Sequence, residues 1–197
     1  MNKIEFDYYS NTLEIFDFLK DQDWSVFLCS NFDVFDREKY DIISCCPIKK
    51  IIAYQNATIV ETNGSKKVFR DDPIDVLKNI MNKSFSSNHT DLPFSGGAIG
   101  YFSYDLGNKY ESVKPVGVDT DNTPIMAFGI YDWSIIIDHK LKKSILIYTT
   151  ENNLIKEIIK NFKKKKFSLI TKRDFSIHSQ FKSNLSYEEY VEKFNSI

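Results

Sequence analysis

The sequence predicts an α+β fold in which antiparallel β-sheets are flanked by helices. One observation is a hairpin signal: β-favouring runs at 57–62 and 66–69 flank an Asn63-Gly64 pair, which strongly favours a tight turn between strands. A second is a series of strand-like segments later in the chain, at 97–104, 125–132, 134–138 and 144–149. Segments with helical spacing lie before, between and after these strands, so we expect helices to cover the sheets.

Length and composition are those of a folded, water-soluble domain. The chain has 197 residues, of which 42% are hydrophobic and 15% aromatic. A chain of this size buries roughly two thirds of its unfolded surface. Residues 1–7 lack a basic region followed by an apolar run, and no apolar stretch approaches the roughly 20 residues that cross a bilayer. We therefore expect a cytoplasmic protein with no membrane partner.

The first helix is predicted to begin at Asn11, with Glu14 three residues on as its capping partner, and to end at 21–23. A β-rich run at 24–30 follows. A polar, aromatic loop is predicted at 31–39, and a strand-like run at 40–54.

A second helix is predicted to begin at Asp72. Pro73 then occupies the first helical position, where a missing N–H costs least, and apolar residues recur on one face as far as Ser84. A polar connector at 86–91 leads into the four later strands, which should pair antiparallel.

The last part of the chain alternates between helical and extended patterns. A helix is predicted at 154–162, a strand at 167–171 and irregular structure at 175–182. Ser186 and Glu189 form a capping box that begins a final amphipathic helix. Because this helix has a start signal and no stop signal before residue 197, we expect the chain to be the front part of a longer protein.

Cysteine spacing gives no support for a metal site. Cys29, Cys45 and Cys46 are odd in number, two are adjacent, and no Cys-x-x-Cys or Cys/His ligand spacing exists. We expect reduced thiols packed in strands, as is common for free cysteine in cytosolic proteins.

The charge is unevenly distributed. Residues 139–173 hold eleven Lys and Arg against Glu151 and Glu157, although the net charge of the chain is −1. Lys163 to Lys166 follow a predicted helix, where cations favour the C-terminal dipole and water. No RNP-type or helix-turn-helix pattern accompanies them. We interpret the stretch as a solvated helix end and expect no nucleic-acid partner.

Three other features invite a catalytic or binding interpretation, but a structural one is preferred for each. The glycine-rich stretch 96–100 lacks the Lys-Ser/Thr of a phosphate loop, so we expect its glycines to allow unusual φ angles or close backbone approach. Asp105 and Asp132 follow Tyr at strand ends, where aspartate commonly bonds turn N–H groups. The histidines are expected at the surface: His89, His139 and His178.

Several motifs occur in an order that resembles component I of aminodeoxychorismate synthase, a chorismate-utilising enzyme. They are Lys-Tyr-Asp-Ile-Ile at 39–43, Asp-Asp-Pro-Ile-Asp-Val-Leu at 71–77, the glycine-rich segment 91–107, Met-Ala-Phe-Gly-Ile-Tyr-Asp-Trp at 126–133 and Ser-Asn-Leu-Ser at 183–186. The glycine-rich segment is shared with anthranilate synthase component I, whereas Gly-Ile-Tyr-Asp-Trp favours aminodeoxychorismate synthase.

The resemblance implies half of a chorismate-utilising-enzyme sandwich. Residues 1–182 would form an N-terminal domain like that of anthranilate synthase component I, and 183–197 would begin the chorismate-binding catalytic domain. The catalytic residues and the Mg²⁺-binding glutamates of the family belong to that later domain, so this chain alone is predicted to be inactive and to hold no cofactor. The implied partners are the chain's own catalytic domain and a glutamine amidotransferase.

The resemblance also implies a pocket for L-tryptophan between sheets. The family's strand end corresponds to 27–30 here, so Leu28 and Ser30 are candidate ligand contacts, with Lys39 and Tyr40 bordering the same pocket. An apolar slot suits an indole, and a few placed polar groups suit its zwitterion. Cys29 stands where anthranilate synthases usually carry glutamate, which weakens the case for amine recognition.

Two alternatives remain open at this point. The chain could be the same region of anthranilate synthase component I, on the route to tryptophan, with the pocket as a feedback site. It could also be a freestanding module that binds a ligand, or nucleic acid through the basic residues of 139–173.

Overall fold

The computed structural model describes residues 1–30, 40–85, 91–111, 122–167 and 175–196. The described part contains ten strands, four α-helices and a 3₁₀ helix at Tyr104–Lys109. In chain order the strands and α-helices are β1 (Asn2–Asp7), α1 (Thr12–Leu19), β2 (Val26–Leu28), β3 (Tyr40–Ser44), β4 (Lys49–Ala53), β5 (Thr58–Thr62), β6 (Ser65–Phe69), α2 (Pro73–Ser84), β7 (Gly97–Phe102), β8 (Met126–Tyr131), β9 (Trp133–Asp138), β10 (Lys143–Tyr148), α3 (Asn153–Lys164) and α4 (Tyr187–Asn195).

The described strands form two five-stranded sheets. Sheet I has the order β1-β10-β9-β3-β2, and sheet II has the order β6-β5-β4-β8-β7. Every pairing is antiparallel. The predicted α+β class, with antiparallel sheets and flanking helices, is therefore confirmed.

Helices cover one face of each sheet. Helices α1 and α3 pack on sheet I through residues that include Ile15, Leu19, Ile155, Ile158 and Phe162. Helix α2 packs on sheet II through Val76 and its partly buried neighbours. The face of sheet I that α1 and α3 cover is called its helix face below. The opposite, second face carries a smaller apolar cluster of Ile136, Ile145 and Ile147, with Tyr40 and Leu92 against it.

The chain crosses between the sheets at two places. The run predicted at 40–54 is two strands rather than one, because β3 lies in sheet I and β4 in sheet II. Cys46, with φ +52°, makes the break. The second crossing runs from β8 in sheet II to β9 in sheet I. The two crossings are linked by a hydrogen bond, because the Nε1–H of Trp133 donates to the carbonyl of Cys45 at 2.9 Å.

Local signals are confirmed at the Asn63-Gly64 turn and at the starts of α2 and α4. The capping predicted for Asn11 and Glu14 is wrong, because α1 has no side-chain cap and the Asn11 amide donates to the Glu14 carboxylate at 2.9 Å instead. Asn63 and Gly64 have φ of +50° and +77°, the left-handed values of a type I′ hairpin turn. The Asp72 carboxylate accepts from the N–H groups of Ile74 at 2.9 Å and Asp75 at 3.3 Å, which caps α2. Helix α4 has the predicted capping box of Ser186 and Glu189, and none of its residues is buried.

The glycine-rich stretch has the structural role expected of it. Gly96 has φ +120°. A Cβ on Gly100 would lie 2.0 Å from the carbonyl oxygen of Ala127 and 2.6 Å from the Cα of Phe128. Strand β7 can therefore approach β8 this closely only with glycine at position 100.

Several expectations are wrong. Strand β1 was not predicted, and it pairs with β10 from Asn2↔Tyr148 to Asp7↔Lys143. Of the three cysteines only Cys45 is buried, Cys29 and Cys46 are exposed, and all three lie outside the strands. The loop predicted at 31–39, most of the connector at 86–91 and most of the strand predicted at 167–171 fall outside the described residues.

No helix in the described part of the chain is long and apolar enough to cross a membrane. The lysines at the end of α3 are exposed, as predicted for a solvated helix end.

Candidate functional site

Three of the four predicted site residues lie together at one end of sheet I. Leu28 is paired with Ile42 across β2 and β3, and Ile42 is paired with Ile136 of β9. Side chains two residues apart on a strand share a face, so Leu28 and Tyr40 lie on the second face of sheet I, beside its apolar cluster. Lys39, the fourth candidate, lies outside the described residues.

Ser30 is held against β3 by two hydrogen bonds, although the ladder of β2 ends at Leu28. Its hydroxyl donates to the carbonyl of Tyr40 at 2.6 Å, and its backbone N–H donates to Oδ1 of Asp41 at 2.9 Å. A serine hydroxyl has one donor and two acceptor positions. The donor of Ser30 is already used, so its oxygen is suited to accept a hydrogen bond from a cationic or N–H group of a ligand.

Leu28 supplies apolar surface next to this hydroxyl. Its side chain is 48% exposed, which is high for a leucine on a strand beside an apolar cluster. Tyr40 is partly buried against the same cluster. The end of sheet I therefore offers one polar acceptor beside exposed and half-buried apolar groups.

A buried polar chain lies on the helix face, directly behind Ser30. Asp41 is fully buried and His139 is 5% exposed. Oδ2 of Asp41 lies 3.0 Å from Nε2 of His139, a close polar contact without hydrogen-bond alignment. The Nδ1 atom of His139 is hydrogen-bonded to the hydroxyl of Tyr8 at 2.8 Å. The ammonium group of Lys142 lies 4.7 Å from the centre of the Tyr8 ring.

The burial of His139 corrects the expectation that all three histidines lie at the surface. His139 directly follows Asp138, and the carboxylate of Asp138 accepts from the N–H groups of Lys140 and Leu141 at 2.9 and 2.7 Å. This turn directs the His139 side chain inward, where it contacts Tyr8 and Asp41. His178 is exposed, as expected, and His89 lies outside the described residues.

The Asp41 carboxylate also affects Cys29. Burial, and then the negative charge and hydrogen bonding of Asp41, raise the pKa of the Cys29 thiol. A raised pKa keeps the thiol protonated at neutral pH, and the thiolate is the nucleophilic form. The arrangement therefore gives Cys29 no nucleophilic activation.

The other predicted candidates do not form a reactive group. Asp105 is exposed on the 3₁₀ helix, and burial raises the pKa of Asp132, which lies between β8 and β9. Among the described residues there is no group of three or more His, Cys, Asp or Glu that could hold a metal ion. Two open clefts lie elsewhere: one of about 180 Å³ around Lys50, and one of about 340 Å³ around Phe18 and Phe167.

The geometry thus fits recognition of a small amphipathic ligand better than bond-breaking chemistry. A nucleophile is activated by an adjacent base or by a lowered pKa, whereas burial and the adjacent Asp41 carboxylate raise the pKa of the Cys29 thiol. A hydroxyl acceptor beside apolar surface is the usual composition of a small-molecule subsite.

Comparison with known families and proteins gives matches that cover most of the chain. The family model described as "chorismate binding enzyme" matches residues 31–197. Aminodeoxychorismate synthase component 1 of Escherichia coli K12 is 31% identical over 176 residues, which are 88% of this chain and 38% of that protein. Anthranilate synthase component 1 of Acetivibrio thermocellus is 36% identical over 117 residues, 58% of this chain and 24% of that protein.

A solved structure shares the fold. Anthranilate synthase component I from Streptococcus pneumoniae TIGR4 superposes with a TM-score of 0.53 and 26% identity, covering 69% of this chain and 31% of that one. The present chain therefore spans well under half the length of the relatives that it matches.

Proposed function

Because the chain belongs to the family of chorismate-binding enzymes, we propose that it is the N-terminal, non-catalytic portion of an aminodeoxychorismate synthase component I. The observation that carries the proposal is the similarity over 88% of the chain to an aminodeoxychorismate synthase component 1. The complete enzyme would convert chorismate to 4-amino-4-deoxychorismate for 4-aminobenzoate and folate synthesis, with ammonia from a glutamine amidotransferase. A cytoplasmic location stays a prediction.

In this proposal the chain acts as a scaffold rather than as the catalyst. The resemblance assigns the catalytic residues and the Mg²⁺-binding glutamates to the later domain, and the described residues offer no group that fits a metal. The aromatic residues of α4, which the resemblance places at the start of that later domain, are exposed and would pack against the rest of it in the complete protein.

We further propose that Leu28, Ser30, Lys39 and Tyr40 contribute to a binding site for L-tryptophan. The Ser30 oxygen would accept from the ammonium group, since its hydrogen is already donated to Tyr40. Leu28 and the Tyr40 ring would contact the indole, which gains by leaving water. Binding would be weak in this chain alone, because the catalytic domain would supply much of the lining.

Thermal unfolding with and without L-tryptophan tests this site. A ligand at ten times its dissociation constant stabilises by about 1.4 kcal/mol, which raises the midpoint of a protein of this size by about 3–6 °C. We expect Ser30→Ala to lose most of the shift, and Ser65→Ala, an exposed serine on β6, to keep it. The absence of any shift, both in this chain and in the complete protein, would exclude the site.

Anthranilate synthase component I is the second candidate. The solved structure that shares the fold is an anthranilate synthase component I, and so is the relative with 36% identity over a shorter stretch. Identification of the product from chorismate decides between the two, because one enzyme makes 4-amino-4-deoxychorismate and the other makes anthranilate.

A nucleic-acid-binding module is the third candidate, and only the basic stretch favours it. Binding to phosphates would weaken steeply as salt is raised. Failure to retard an oligonucleotide at low salt would remove this candidate.

A further inference from the structure

The polar chain behind Ser30 joins four segments that are distant in sequence. Tyr8 follows β1, His139 follows β9, Asp41 lies in β3 and Ser30 follows β2. The contacts run from the Tyr8 hydroxyl to His139 at 2.8 Å, from His139 to Asp41 at 3.0 Å, and from Asp41 to the Ser30 N–H at 2.9 Å.

The position of Ser30 depends on these polar contacts because strand pairing does not extend to this residue. Strand β2 has three residues and lies at the edge of sheet I, and its last pair is Leu28↔Ile42. Beyond that pair, and among the residues that the structure describes, Ser30 is held to β3 by its hydroxyl bond to Tyr40 and its N–H bond to Asp41. If the ligand donates a hydrogen bond to the Ser30 hydroxyl oxygen, the bond from the Ser30 N–H to Asp41 orients Ser30 towards the ligand.

The burial of Asp41 explains why its carboxylate depends on the contact with His139. A fully buried carboxylate is stable only when charged or polar groups surround it. Oδ1 faces Ser30 and Oδ2 faces His139. His139 is in turn fixed by the Tyr8 hydroxyl. Removal of His139 would leave Oδ2 without this contact and free the carboxylate to turn away from Ser30.

We infer that Asp41 and His139 are positioning residues for Ser30, and that Tyr8 supports them through its hydrogen bond to His139. This inference rests on the proposed tryptophan site for its consequence: Ser30 presents its hydroxyl to the ligand only while the carboxylate behind it is held in place. Neither Asp41 nor His139 touches the ligand, since both lie on the helix face, opposite to Leu28 and Tyr40.

Hydrogen exchange of the Ser30 amide tests the positioning without any ligand. In the 197-residue chain, Asp41→Ala and His139→Ala should speed exchange of this amide about ten-fold or more. The amide of Leu146, in the centre of sheet I, should keep its rate. Asp41→Asn retains an acceptor oxygen and should restore protection of Ser30 towards the wild-type value. An unchanged Ser30 rate in the folded variants overturns the inference.

Calorimetric titration with L-tryptophan supplies the second reading. His139→Gln should raise the dissociation constant about five-fold or more, and Tyr8→Phe should raise it less. Asp105→Asn, at an exposed acid on the 3₁₀ helix, should change it by less than about two-fold. Affinity within two-fold of wild type in His139→Gln overturns the inference while the tryptophan site stands.

The two readings separate the two claims. If the wild-type protein does not bind tryptophan, the proposed site fails. The exchange rate of the Ser30 amide still decides whether Asp41 and His139 position that residue. If Asp41→Ala does not fold, His139→Gln and Tyr8→Phe decide by the same two measurements, because they change the contacts with little change in volume.

Discussion

Substitution of Gly100 by alanine should strongly destabilise the protein. The added Cβ would lie 2.0 Å from the Ala127 carbonyl oxygen and 2.6 Å from the Phe128 Cα, whereas favourable carbon contacts lie at about 3.5–4.0 Å. The obstacles are backbone atoms of β8, which no rotamer change can move. Overpacking costs about 1–3 kcal/mol, and each strand hydrogen bond that is lost adds about 1 kcal/mol. We therefore expect a loss of about 3 kcal/mol or more.

Thermal unfolding followed by circular dichroism measures this loss. For a protein of this size, about 3 kcal/mol corresponds to a fall of about 6–12 °C in the midpoint. Gly107→Ala is the matched control, because its Cβ would meet no atom within 4 Å. Equal midpoints for Gly100→Ala and Gly107→Ala would refute the close approach of β7 to β8, and with it the structural reading of the glycine-rich stretch.

Other predictions concern the helix cap and the hairpin. Asp72→Ala should cost about 1 kcal/mol, because two N–H groups of α2 lose their acceptor; an unfolding midpoint equal to that of wild type would contradict the cap. Burial alone would raise the pKa of Asp72, but hydrogen bonds from Tyr110 and from the helix N–H groups outweigh it and lower the pKa. The carboxylate therefore stabilises fully above about pH 5 and progressively less as the pH falls through the lowered pKa, so the midpoints of wild type and Asp72→Ala should converge in acid. Gly64→Ala should cost about 1 kcal/mol, because φ is +77° with open space around the Cβ position; chemical denaturation that shows no loss would contradict the turn type.

Elements with strong local signals could be predicted from the sequence. The hairpin follows from Asn63-Gly64, since these residues tolerate positive φ. Helix α2 follows from Asp72 and Pro73, which act within one turn of the chain. The resemblance rested on ordered motifs over most of the chain, and the family match over 31–197 confirms it.

Elements that depend on distant partners could not be predicted in the same way. Strand β1 alternates charged and apolar residues, but its stability comes from pairing with β10, about 140 residues later. The division of 40–54 into two strands depends on Cys46, which adopts positive φ without being glycine. A run of β-favouring residues does not reveal that it changes sheets.

The candidate site was predicted in part. Leu28, Ser30 and Tyr40 could be proposed from the resemblance, and the structure brings them to one end of sheet I. The polar contacts among Tyr8, His139 and Asp41 could not be predicted, because Tyr8 and His139 are 131 residues apart in sequence. An Asp-His pair at 138–139 reads as a turn, and only the fold shows that its histidine points inward.

The most direct test of the account is the product made by the protein from the complete reading frame that contains these 197 codons. The purified protein would be incubated with chorismate, Mg²⁺ and ammonium, and the products separated by chromatography and identified by mass. The account predicts 4-amino-4-deoxychorismate. Formation of anthranilate, or no conversion of chorismate by a folded protein, would contradict it.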